Sequence, residues 1–543
     1  MENEKKKKSK KLPIFLGVLV VACAGAYSAV AMHYQDLFLP NTTVNGVDAS
    51  QRSWSDVQTE LEAMINTYKL DISTRNGIKD IVNAADIDMK TDFGEQIREM
   101  QEAQNEWLWP MAYYQGEEKS ELSYDKEKLD QMIEAMNCMD EEQAKAPEDA
   151  YLSEYEEGKG YSVIPEVENN LLKKPVFEEI VTSALSRLDA EIAPEVFEEA
   201  DAYEHPTVFS DDKVLNNFVA QANRVLNVNL IYKFGDDEEI VNGSVIKDLI
   251  DTDDEGNVTV NPDKTREYIN SLARKYETFG SSRTFKTTYG PTVKIPNGDY
   301  GWWMNRSKTT EDLLAALEAG EDKELEVTYY QKAASFSEND YGNSYVEINL
   351  TAQHLYLYVD GKMTLSTDFV SGKPSIKMTP TGVYPITAKD RAHTMKGDAS
   401  DPYRVETCFW MPFCGGVGMH DATWRTRFGA TLYKTEGSHG CINLPYNAAK
   451  TIYYTVSEGW PVIVYQFDGT ATSHITSQGD SEIANFGIDA IDRINALPWD
   501  NFENAKKRVE WARQVYKDLS PAQRKLVTNY KVLVEAEKKV AEH

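Results

Sequence analysis

At 543 residues the chain is too long for one hydrophobic core, so several domains are expected. Its 88 acidic residues against 57 basic ones leave a formal charge of −31, a field that repels phosphate backbones and argues against nucleic acid as a partner. Five cysteines in so long a chain do not make a disulfide framework.

The first eleven residues, MENEKKKKSKK, hold six lysines and two glutamates, and residues 12–32, LPIFLGVLVVACAGAYSAVAM, carry no charge. Twenty-one apolar or small residues at a rise of ~1.5 Å cover roughly 30 Å of hydrocarbon, so this run predicts a transmembrane anchor whose lysine-rich side stays cytoplasmic. A cleaved signal ending at Ala29-Val30-Ala31, or a lipoprotein signal before Cys23, is the alternative; the apolar run continues nine residues past Cys23, longer than a cleaved signal needs. Without the charges of the tail, 86 acidic and 51 basic residues remain, so the exported part stands near −35.

Beyond a turn-rich entry, SWSDVQTELEAMINTY places Val57, Leu61, Met64 and Ile65 on one helix face. IVNAADI at 81–87 returns as IVNGSVI at 240–246, a spacing of 159 residues. Each copy is followed by a charged helical region and an extended aromatic stretch, 160–170 and 294–305, so two related α+β modules are expected over 33–200 and 201–335.

From Tyr345 the pattern alternates apolar and polar residues, with Asp360-Gly361 as a hairpin turn. TPTGVYPI at 379–386 and WPVIVYQF at 460–467 add strands, and 447–459 reads as a helix with Ala449, Ile452, Tyr453 and Val456 on one face, so 340–468 is a mostly β domain. A Ser/Thr/Gly linker at 468–481 leads to a helical region, 482–543, with room for three short helices and a Ser520-Pro521 cap.

The chemistry concentrates in GGVGMHDATWRTRFGATLYKTEGSHGCINLP. A cysteine nucleophile needs a base or cation and donors for an oxyanion; His420 lies 21 residues before Cys441, and His439, two residues before it, points to the same face of an extended segment. Gly440 permits close backbone approach, and the N–H groups of Gly440 and Cys441 are candidate oxyanion donors. Two other readings stay open: a buried core thiol, and a zinc site from His393, His420, His439 and Cys441, whose spacing lacks the paired short-range pattern of a structural finger. Cys408 and Cys414 bracket CFWMPFC; along one strand they are ~20 Å apart, so two single thiols are expected unless the chain turns at Pro412.

His420 followed by Ser438-His439-Gly440-Cys441-Ile442-Asn443, with MHDATWR at 419–425, FGA at 428–430 and TPTGVYPI, resembles the L,D-transpeptidase (YkuD) catalytic domain of bacterial cell-wall enzymes over about 125 residues, 345–467. The upstream modules, including PNTTVNGVDAS at 40–50, resemble peptidoglycan-binding modules of Gram-positive bacteria. The resemblance implies a multi-domain fold: α+β modules, a mostly β, β-sandwich-like catalytic domain and a C-terminal helical bundle. It implies peptidoglycan stem peptides as donor and acceptor, Cys441 as nucleophile, His420 as base, and no metal or organic cofactor. A tetrapeptide stem would lose D-alanine to a Cys441 thioester, which a neighbouring stem amine resolves into a 3-3 cross-link; carbapenems would acylate the same thiol. His439, Ser438, Gly440 and Asn443 would shape the pocket, with Tyr403, Trp424 and Arg425 along the substrate groove. Water as acceptor would make a carboxypeptidase, and a vestigial site a wall-binding scaffold. A sortase-like reading expects an arginine shortly after its cysteine, and none follows Cys441 before residue 470.

Overall fold

Ser53 starts the first helix of the upstream region by accepting the Asp56 N–H at 3.2 Å, and helix Trp54–Asn66 then buries Val57, Leu61 and Ile65, with Met64 half-buried. This computed structural model describes residues 11–90, 93–111, 117–118, 122–397, 402–496 and 499–543. Its contacts divide the chain into two units: residues up to Glu154 with Tyr161–Val219, and Tyr155–Gly160 with Ala220–His543.

In the first unit, strand Lys69–Ser73 pairs antiparallel with Lys79–Asn83 and parallel with Glu191–Ile192, which follows helix Lys174–Arg187. The same order recurs later. Helix Lys213–Leu226 leads into the hairpin Leu230–Phe234/Asp237–Val241, and helix Arg306–Ala319 leads into Lys323–Leu325, parallel to Leu230–Phe234. The two IVN segments end the second strand of each hairpin, so the short sequence repeat marks a repeated topology. After it the copies diverge: Ala84 to Asp88 form turns, and Gly243–Ile246 a helical turn.

Among the described residues the β-rich region holds two large sheets and a small two-stranded one. The first uses β1 (Tyr345–Asn349), β2 (His354–Val359), β3 (Lys362–Asp368), β4 (Gly382–Pro385) and, from further along the chain, Pro461–Tyr465, in the order β3-β2-β1-(Pro461–Tyr465)-β4. The second runs β5 (Asp390–Lys396), β6 (Arg404–Cys414), β7 (Val417–Asp421) and β8 (Ile442–Leu444). Asp360 and Gly361 turn between β2 and β3 with φ of 51° and 75°, as the hairpin signal predicts. Val346, Ile348, Leu355 and Leu357 meet Phe409, Met411, Met419 and Ile442 in one core, closed at one end by α1 (Tyr446–Thr455). Cys408 and Cys414, both on β6, are free thiols.

Four C-terminal helices follow where three were expected: α2 (Asp480–Asn495), α3 (Phe502–Asp518), α4 (Pro521–Arg524) and α5 (Tyr530–Glu542). Ser520 caps α4 in a reciprocal capping box with Gln523. Phe486, Ile491, Trp511 and Leu533 join the same core as the two large sheets, so these helices complete the core of the β-rich region. The expected linker is structured as well: Ile475–Ser477 pairs antiparallel with Arg427–Gly429. A three-residue strand in Ser/Thr/Gly composition carries no periodic signal.

The N-terminal helix runs Lys11–His33. The expected cytoplasmic tail lies, for residues 1–10, outside the described residues, as do the side chains of 11–16. Among the described residues no helix is long and apolar enough to cross a membrane, so the span expected at 12–32 is not found there.

Just upstream of β1, Arg283 and Asp340 form a bidentate pair, Nε to Oδ1 at 2.7 Å and Nη2 to Oδ2 at 2.6 Å, with 6% and 3% of the side chains exposed. The guanidinium also donates to the carbonyls of Ser281, Thr278 and Tyr300, and Thr278 Oγ1 donates to Asp340. Removing one partner strands a buried charge. Arg283→Ala is expected to lower the unfolding free energy by about 3–5 kcal/mol in denaturant titrations, and Arg283→Met with Asp340→Leu to recover most of it; a loss below about 1 kcal/mol for the single variant contradicts this role.

Candidate active site

Strand β7 is buried along its whole length, between β6, antiparallel, and β8, parallel. Trp410 pairs with His420, and His420 with Asn443, so these three side chains share one face. Met419, Ile442 and Leu444 alternate into the core on the other. Asp421 falls on that inner face, where its carboxylate accepts the N–H groups of Cys408 at 3.2 Å and Phe409 at 2.8 Å; burial still pushes its pKa up to about 7.

Cys441 immediately precedes β8 and, two residues from Asn443, shares its outward face. On that face lies a pocket of about 210 Å³ lined by His420, Cys441, Ser438, His439, Asn443, Tyr403, Trp424 and Arg425, together with Met395, Val405 and Gly437. Eight of the nine residues singled out in the sequence therefore come together. Gly440 is the ninth and is not in the lining: its φ is 111°, and a side chain there would meet Val417 Cγ2 at 3.1 Å.

One hydroxyl shapes the loop before the thiol. Ser438 Oγ donates to the Cys441 carbonyl at 2.6 Å and accepts the Gly440 N–H at 3.1 Å. The Gly440 N–H is thus occupied, so the oxyanion role expected of it does not fit the geometry. A second loop holds the first from behind: Lys373 N–H donates to the Ser438 carbonyl at 2.8 Å, and Thr379 Oγ1 to the Gly440 carbonyl at 2.7 Å.

The aromatic walls are layered. His439 stacks on Tyr403 with centroids 4.8 Å apart, and Trp424, 45% exposed, stacks on His420 at 5.8 Å. His393, the fourth member of the alternative zinc set, stacks on Trp410 at 5.2 Å and does not line the pocket. Arg425 donates to the Glu436 carbonyl, bracing the loop that carries Gly437.

Three contributors escape sequence reasoning. Met395 and Val405 are register partners on β5 and β6, a pairing that only the hairpin geometry reveals. Gln478 donates to the carbonyls of Ala422 at 3.0 Å and Arg425 at 2.5 Å, pinning the segment that presents Trp424 from a stretch that reads as linker.

Residues 343–464 match the model of the L,D-transpeptidase catalytic domain, and residues 223–326 that of a peptidoglycan-binding domain. Among solved structures, a cysteine-to-serine mutant of the Enterococcus faecium L,D-transpeptidase is 34% identical over 45% of this chain and 98% of that one, with a TM-score of 0.39. The Ldtfm–avibactam carbamoyl enzyme is 34% identical over 48% and 100%, with a TM-score of 0.40. The catalytic domain of the E. faecium enzyme, solved by NMR, is 44% identical over 23% and 97%, with a TM-score of 0.22. No curated protein matches.

His420 Nδ1 lies 2.9 Å from the Asp421 carbonyl, which requires the proton on Nδ1 and leaves the Nε2 lone pair free. Burial holds this imidazole down at about 4. Burial pushes the Cys441 thiol up to about 11, opposed by the Gly418 N–H and by Lys377. Above about pH 4 the imidazole is therefore neutral, and below about 11 the thiol keeps its proton, so the resting pair is uncharged at pH 7. Iodoacetamide alkylation of Cys441 is expected to rise steeply with pH, by up to about tenfold per unit across the neutral range. A rate already flat between pH 6 and 8 means that a thiolate–imidazolium pair is preformed.

Proposed function

Since the chain belongs to the L,D-transpeptidase family, we propose that it cross-links peptidoglycan stems through Cys441, with His420 as its base. The observation that carries this reading is the shared outward face of Cys441 and His420, with the His420 tautomer set by the Asp421 carbonyl. Nε2 of His420 takes the thiol proton as sulfur bonds to the carbonyl carbon of the third residue of a tetrapeptide stem. We assign the Cys441 N–H to the resulting oxyanion, since Ser438 occupies that of Gly440. The C–N bond breaks, His420 returns the proton to the departing amine, and D-alanine leaves a thioester behind.

A side-chain amine of a second stem then attacks the thioester, gives its proton to His420 and restores the thiol, leaving a 3-3 cross-link. Water at the same point yields a carboxypeptidase with the same residues. His439 and Tyr403 form one wall for the stem and Trp424 the other, while Arg425 and Asn443 hold the floor. With purified disaccharide-tetrapeptide, Cys441→Ala is expected to lose D-alanine release by roughly a thousandfold or more. Continued dimer formation by that variant excludes Cys441 as the nucleophile.

The substrate also suggests a place. We assign the two upstream modules, 33–200 and 201–335, to wall contact and the N-terminal helix to a single-pass anchor that leaves the catalytic region outside the cell. The support is that Val18, Leu19, Val20 and Val21 are 55–73% exposed on that helix, an apolar run with no protein cover. Removing residues 1–32 is expected to move the protein from the membrane pellet to the soluble fraction; retention in the pellet rules the anchor out.

A further inference from the structure

On the face of β5 and β6 opposite to Met395 and Val405 of the catalytic pocket, a concavity of about 830 Å³ lies between β5, α2 and α3. Arg391, Arg493, Lys507 and Arg508 line it, with Arg404 at its edge, and Glu510 is the one carboxylate among the described lining residues. Arg404 is neutralised by Glu406 at 2.8 Å. Among the described residues the other four form no ion pair, in a chain whose acidic residues outnumber its basic ones by 88 to 57. Chance pairing favours the opposite outcome.

Some donors are also unspent: among the described residues, buried Arg493 Nη1, Arg508 Nη1 and Trp511 Nε1 have no hydrogen-bond partner, while Arg508 Nε donates to the Asn504 carbonyl at 3.3 Å. Arg391 gives its Nε to the Cys408 carbonyl at 3.1 Å and lies over the Phe409 ring at 4.6 Å, and Arg493 lies 5.8 Å from the Trp511 ring, so neutral groups hold these guanidiniums in place. Burial, with the neighbouring Arg391 and Arg508 charges, lowers the Arg493 pKa. A fixed cluster of like charges with unsatisfied N–H groups is a site whose missing partner is an anion.

We propose that this concavity binds a phosphodiester-bearing anion. Guanidiniums match phosphate oxygens in paired hydrogen bonds, and the volume suits a repeating phosphodiester better than a single small ion. Most of the lining comes from α2 and α3, outside residues 343–464, and none of it lines the Cys441 pocket. The long-range field of the acidic chain opposes such a ligand, so binding is local and depends on these contacts.

The test is a titration of the full-length protein at low and moderate salt with two probes, a soluble poly(glycerol phosphate) and vesicles containing phosphatidylglycerol. All-phosphatidylcholine vesicles and poly-glutamate serve as comparisons. Saturable binding of either phosphodiester probe, weakened by salt, supports the site, and the probe that binds tells a soluble chain from a lipid headgroup. Lys507→Gln with Arg508→Gln is expected to weaken that binding by about tenfold or more while D-alanine release stays as in the unaltered protein. No saturable binding, equal binding by the double variant, or poly-glutamate binding as well as the phosphodiester each overturns the proposal.

Discussion

The parallel pairing of β7 with β8 is the constraint on which the reactive groups depend. It sets His420 opposite Asn443, and therefore beside the residue two positions earlier, Cys441. The period of two along each strand then separates the site from the core: His420 and Asn443 outward, Met419, Ile442 and Leu444 inward. A slip of one residue would exchange the two faces, burying the imidazole among apolar side chains and exposing the core. The apolar residues on the inner face thus hold the geometry of the pocket by refusing any other register.

The burial that makes this register firm also sets the state of the reacting groups. An exposed thiol beside an exposed imidazole would share a proton readily, but here low polarity disfavours charge on both. The resting site is consequently inert towards casual electrophiles. In the reaction we propose, the thiol gives up its proton as sulfur bonds to a bound carbonyl, which would couple activation of the thiol to occupancy of the pocket.

Much of this was legible in the sequence because it is written in local patterns. The motif from Ser438 to Asn443, the Asp360-Gly361 turn and the Ser520 cap each depend on residues close together in the chain, and each appears where its pattern predicts. What stayed hidden depends on partners far apart. Gln478 is an unremarkable amide until Ile475–Ser477 pairs with Arg427–Gly429 and delivers it to the Ala422 and Arg425 carbonyls. The oxyanion role read into Gly440 fails for a similar reason: only the folded loop brings Ser438 Oγ to its N–H. Likewise the helical periodicity of 482–543 was plain, but nothing local says that Phe486 and Leu533 belong to the core of the β domain.

That shared core bears on when the enzyme comes into being. Synthesis runs from the N-terminus, so both sheets and the motif around Cys441 emerge before α2 to α5 do. Until Leu533 and Ala536 arrive, part of the interior behind these strands stays uncovered. The thiol can be complete as a sequence and still unassembled as a site. Assembly of the site therefore waits on segments made after the motif itself, so the motif and the core that supports it are completed at different times.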